Sequence, residues 1–265
     1  MNQLHTFAAA IVALALFAAP KLDAVELPGS PKKPLAWGAL VEKVAGAYPI
    51  FWMDGSPKIN RGTQIPGKLD LRGRLDSVGT GFWGDPGDAF GLASGEESPV
   101  VIAGSEKSSI GVGATGALAL LFRAASDFDG HSLPILSRGT YVNDDTLEIV
   151  VVSGELRINR TKTSGHPVVL SYVNPRQWYW LALSWRQLPH GPMEVTWHFG
   201  APLEAAAKSG TFQSLQLGDV ASRIVIGGRG KSNSMKDTAL SQVIAWDREL
   251  SVESMNALYA LLAKK

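Results

Sequence analysis

Asp127-Phe128-Asp129-Gly130-His131 holds two carboxylates one residue apart ahead of a glycine. That spacing suits a turn that wraps oxygen ligands around a hard cation. Asn143, Asp144 and Asp145 offer further oxygens from a second polar stretch, so Asp127, Asp129 and Asp144 are the candidate ligands for calcium. No complete calcium-loop pattern surrounds them, and Asp and Gly also build ordinary polar turns. A different chemistry attaches to Trp83, near Asp85 and Asp88, and to Tyr141, beside Asn143. An exposed aromatic ring can stack on the apolar face of a sugar while neighbouring acids or amides bond its hydroxyls. Trp83, Tyr141 and Asn143 are therefore the candidate ligand-binding residues; packing of Trp83 back onto the core is the competing expectation.

Catalysis is harder to find. Glycoside hydrolysis sets two carboxylates across one bond, and on a strand they would sit two residues apart so that both point the same way. Glu96 and Glu97 are adjacent, and Glu148 and Glu155 have no acidic residue two positions away. His131, His166 and His198 are dispersed, with no sequence-level cluster suited to a lyase. The chain has no cysteine, which removes a thiolate nucleophile, thiolate metal sites and disulfides. No catalytic residue is assigned. Asn159-Arg160-Thr161 fits a glycosylation acceptor pattern, but carries no meaning in a bacterial chain, which is how the absence of cysteine reads in an exported protein.

The elements that must position these residues read as strands. Apolar residues make up 45% of the 265 positions, enough for a sizeable core, and 28 Gly with 15 Pro imply many turns. A net charge of +1 without a basic run gives no electrostatic footprint for nucleic acid or anionic lipid. Residues 7–19 (FAAAIVALALFAA) form an apolar run short for a membrane span and followed by Pro20, so residues 1–24 read as a signal peptide that matures near Ala24. Residues 25–36 read as a Pro- and Lys-rich linker, and 37–265 as one domain.

Helical spacing runs from Trp37 to Val44, and 48–53 (YPIFWM) predicts a first buried strand closed at Asp54-Gly55. Residues 54–116 are Gly-rich, with short strand candidates at 69–71 and 99–103. Residues 117–123 (ALALLFR) are apolar on both faces, as in a strand covered on each side. Strands follow at 147–152 and 155–159, joined by Ser153-Gly154, and then at 168–173, 179–185, 193–199, 223–226 and 240–246. Met193, Val195, Trp197 and Phe199 alternate inward against Glu194, Thr196 and His198 outward. Ser251 caps a last helix whose apolar stripe is Val252, Met255, Leu258, Tyr259 and Leu262. The expected fold is all-β: a two-sheet antiparallel sandwich with a short N-terminal helix and a C-terminal helix.

The order of these features resembles the laminin-G-like, or concanavalin-A-like, jelly roll of bacterial exported proteins. The resemblance rests on YPIFWMD after a short helix, on Trp178-Tyr179-Trp180-Leu181-Ala182-Leu183-Ser184, on VTWHFG, on Ile224-Val225-Ile226-Gly227-Gly228, and on Ile244-Ala245-Trp246-Asp247-Arg248-Glu249-Leu250-Ser251. It spans about residues 37–263. The family often carries an acidic residue early in the last strand; here that stretch is Leu240-Ser241-Gln242-Val243. The resemblance implies an exported, non-catalytic recognition module for polysaccharide or a cell-surface glycan. Two alternatives stay open: a polysaccharide hydrolase or lyase on the same scaffold, and an adhesion domain that contacts proteins.

Overall fold

The computed structural model describes residues 36–44, 46, 48–55, 75–77, 81–84, 89–92, 100–102, 115–128, 132–138, 147–160, 167–189, 192–202, 206–214, 224–226 and 238–263. In chain order these form helix α1 (Ala36–Lys43), then strands β1 (Phe51–Asp54), β2 (Leu75–Ser77), β3 (Phe90–Leu92), β4 (Val100–Ile102) and β5 (Thr115–Arg123). Next come β6 (Ser132–Arg138), β7 (Leu147–Val152), β8 (Glu155–Arg160), β9 (Val168–Tyr172) and β10 (Trp178–Gln187). The chain continues through β11 (Met193–Gly200), β12 (Lys208–Ser214), β13 (Ile224–Ile226) and β14 (Ala239–Trp246) to helix α2 (Val252–Leu262).

All described ladders are antiparallel and they build two sheets. The eight-stranded sheet runs β12-β11-β10-β5-β14-β3-β2, with β1 also paired to β14; the six-stranded sheet runs β4-β13-β6-β7-β8-β9. The molecule is a two-sheet jelly-roll sandwich with a helix at each end of the described chain.

The doubly apolar strands explain a third layer. Because successive side chains alternate across a sheet, β5 sends Leu118, Leu120 and Phe122 to one side and Ala117, Ala119 and Leu121 to the other. The first set meets Ile149, Val151, Leu156 and Ile158 of the six-stranded sheet in the core between the sheets. The second set joins a separate core on the outer face of the eight-stranded sheet, with Trp52, Trp180, Ile244 and Trp246. Trp37 and Val41 of α1 and Met255, Leu258, Tyr259 and Leu262 of α2 close it. The alanines at the centre of β5 and β10 leave room for indole rings: Trp37 meets Trp180 edge-on at 5.9 Å between centroids.

The helices are tied down locally. Ser251 Oγ accepts from Ser254 N as the N-cap of α2, and Ser254 Oγ donates to the Val44 carbonyl just beyond α1. Leu250 N donates to the buried Ser184 hydroxyl, and Trp246 Nε1 donates to the Val41 carbonyl. Gly200 lets α2 sit close, since a Cβ there would fall 2.7 Å from the Tyr259 hydroxyl.

Most expected strands are present, with ends moved by one to three residues. The 69–71 candidate lies outside the described residues. β2, β3, β6 and β12 were not expected. In β6, Pro134 interrupts the pattern; it falls where the β7 ladder is irregular and outside the Leu136–Arg138 stretch that β13 pairs. β12 (KSGTFQS) is an edge strand with Lys208, Ser209, Thr211 and Gln213 exposed, so it shows no apolar alternation. No described helix is long and apolar enough to cross a membrane.

Candidate functional site

The two sheets differ in what covers their outer faces. The eight-stranded sheet is covered by the helical layer. On the six-stranded sheet, period-two alternation in β8 sends Leu156 and Ile158 into the core and Glu155 and Arg157 to the outside. A register shift between Leu156 and Arg157 sets Tyr172 of the edge strand β9 opposite Glu155 and Val169 opposite Arg157. Tyr172 is 72% exposed and Val169 48%, whereas Val150 of β7, opposite Arg157 on its other side, is buried.

These side chains are wired together. Arg157 Nε donates to Glu155 Oε2 at 2.8 Å, and Arg157 Nη2 donates to the same oxygen. Tyr172 OH donates to Glu155 Oε1 at 3.0 Å. Hydrogen bonds from Arg157 and Tyr172 hold the Glu155 carboxyl below its ordinary range, and the carboxylate in turn raises the Tyr172 phenol. Glu155 is thus an anion at neutral pH with both oxygens engaged, which suits an acceptor and not a general acid.

The end of the sandwich beside this face is firmly built. The β7–β8 turn places Ser153 (φ 50) and Gly154 (φ 82) in the left-handed region, as a two-residue hairpin turn requires. A Cβ on Gly154 would lie 3.5 Å from the Phe128 ring, and Gly154 O accepts from Val173 N at the end of β9. Arg176 N bonds the carbonyls of Ala124 and Ala125, and the Tyr179 hydroxyl accepts from Asn174 N and donates to Gln177 Oε1.

Of the residues singled out in the sequence, Trp83 is corrected by the structure. It is 4% exposed, its ring 5.6 Å from both Trp37 and Phe82, because the 81–84 turn folds back onto the outer core of the eight-stranded sheet. From there it presents no stacking face to a ligand. Asp127 is half-buried, in the segment that Phe128 anchors against the core. Tyr141, Asn143, Asp129 and Asp144 lie outside the described residues, as do His131 and His166. No group of three or more His, Asp or Glu is gathered among the described residues. His198, expected outward on β11, is on that face but buried beneath α2: its Nε2 donates to Asn256 Oδ1 at 2.8 Å and its ring meets Tyr259 edge-on. Burial lowers its proton affinity, so it is neutral at neutral pH.

Tyr172, Glu155 and Arg157 were missed in the sequence. The available signal was local: Glu-x-Arg at i and i+2 on a strand, and a tyrosine ending the next one. What the sequence hides is the register shift that pairs them.

No protein-family model matches the chain, and no curated protein matches it in sequence. Solved structures do resemble it. A receptor-binding domain superposes with a TM-score of 0.58 at 11% identity, covering 85% of this chain and 53% of that one. The binding domain of botulinum neurotoxin DC in complex with SialylT gives 0.56 at 12% identity, covering 81% and 51%. The same domain in complex with rat synaptotagmin II gives 0.52 at 13% identity, again covering 81% and 51%. The chain spans about half the length of each of these proteins. At this identity the likeness shows the fold alone, a jelly-roll β-sandwich.

Proposed function

We propose that the chain is an exported, non-catalytic recognition module of the laminin-G-like kind, that its ligand is a carbohydrate, and that the outer face of the six-stranded sheet receives it. The observation that carries this reading is the contrast between the two outer faces. One is sealed by α1, α2 and a tryptophan-rich core, while the other presents an exposed tyrosine beside a fixed carboxylate–guanidinium pair. Sugar sites combine these two kinds of group: a flat apolar surface and a few oriented polar ones. Export rests on the apolar run at 7–19 followed by Pro20.

The non-catalytic part rests on the sequence, in which no strand carries two acidic residues two positions apart. Incubation of the purified protein with a panel of insoluble and gel-cast polysaccharides tests the reading. The expected result is retention on at least one polysaccharide with no new reducing ends and no unsaturated products. Turnover that survives repurification and is lost on substitution of one Asp, Glu or His would replace it with the hydrolase or lyase reading.

A further inference from the structure

We propose that Tyr172, Val169, Glu155 and Arg157 form a subsite for one neutral pyranose ring, with the ring stacked on Tyr172 and two of its hydroxyls held by Glu155 and Arg157. This inference rests on the recognition reading above and adds the site and the charge class of the sugar to it.

Position is the first argument. Tyr172 lies on the edge strand β9, opposite Glu155 and 72% exposed, and Val169 extends the apolar surface along the same strand at 48%. These are two of the four large apolar side chains that stand exposed among the described residues, and they share one strand and one face. The hydroxyl of Tyr172 is tied to Glu155 Oε1, so the ring is oriented before any ligand arrives and little side-chain freedom is left to lose on stacking.

Charge is the second argument. Glu155 and Arg157 are two residues apart on β8, on the same face, and joined through Glu155 Oε2. The pair cancels its own net charge while still offering an acceptor and a donor side by side. A vicinal diol matches that arrangement, one hydroxyl donating to the carboxylate and the next accepting from the guanidinium. A carboxylated sugar would have to compete with Glu155 for Arg157 and would meet the Glu155 charge directly, so acidic residues are disfavoured.

Affinity electrophoresis of the intact protein tests this, in gels cast with neutral polysaccharides (laminarin, xylan, galactomannan) and acidic ones (polygalacturonate, alginate). The wild type is expected to be retarded in at least one neutral gel and less in the acidic ones. In that neutral gel Tyr172→Ala is expected to weaken binding about tenfold or more, the scale of losing a central aromatic contact. Tyr172→Phe keeps the ring and is expected to lose only about threefold, while Glu155→Gln loses about tenfold through the bond to the hydroxyl. Val252→Ala, exposed on α2, serves as the control and is expected to bind as wild type. Equal retardation of wild type and Tyr172→Ala overturns this subsite and leaves the recognition reading standing. Retardation confined to the acidic gels overturns the neutral-ring assignment. No retardation of the wild type in any gel overturns both readings. A dimer in sedimentation that Val169→Lys disperses would assign the β9 edge to pairing with a second copy and would also overturn the subsite.

Discussion

Trp180→Ala is expected to destabilise the protein by about 3–5 kcal/mol, the range for removing a fully buried tryptophan. Trp180 is 0% exposed on β10, with Trp37 of α1 edge-on against it, in the core that both helices close. The loss therefore combines transfer of a large ring with a cavity beneath α1 that the stiff sheet cannot collapse to fill. For a domain of this size it corresponds to a fall in Tm of roughly 6–20 °C. Thermal unfolding followed by near-ultraviolet circular dichroism would measure it. A fall of less than 2 °C would show that the tryptophan-rich layer does not hold the helices on the eight-stranded sheet.

Gln242→Leu is expected to cost about 2–5 kcal/mol although it hardly changes side-chain volume, because it removes an amide that two buried polar groups bond to. Gln242 is 0% exposed on β14; its Oε1 accepts from Trp52 Nε1 at 2.9 Å, and its Nε2 donates to Asp54 Oδ1 at 2.6 Å. Asp54 and Gln242 are direct partners across the β1–β14 ladder, so this one side chain adds buried bonds between two strands far apart in sequence. Denaturant unfolding of Gln242→Leu, Trp52→Phe and the double variant would form a cycle. The expected double variant is more stable than the sum of the singles predicts. Strict additivity would mean that the indole bond contributes nothing.

The acid of this network stands on the neighbouring strand: Asp54 of β1 lies opposite Gln242 and bonds it. The carboxylate was visible in the sequence, but its partner was not, because 188 residues separate the two.

Legibility followed burial. The strands apolar on both faces, 117–123 and 179–185, could be read directly because both faces are covered, one by the partner sheet and one by the helices. The alternation of Met193, Val195 and Phe199 likewise reported the inter-sheet core faithfully. His198 belongs to the same alternation, yet polarity alone did not reveal that α2 covers it. Polar edge strand β12 and the proline-bearing β6 carried no such pattern and were not seen.

The site was legible to a smaller degree for a related reason. Trp83 looked like a loop aromatic because it stands among glycines and acids, but burial of its large ring beside Trp37 and Phe82 pulled the turn inward. Tyr172 looked like an ordinary strand end, and became the exposed aromatic because a register shift and an edge position turn it outward beside Glu155. The chemistry of a side chain is local; which face it lands on depends on pairings tens of residues away.

Backbone hydrogen exchange of the protein, with and without the polysaccharide that retains it, shows whether the outer face of β8 and β9 is the recognising one. Slowed exchange is expected in Val168–Tyr172 and Glu155–Arg160, with no change in Val252–Leu262 or Met193–Gly200. Protection confined to α2 and β11, with β8 and β9 exchanging as in the free protein, would contradict it.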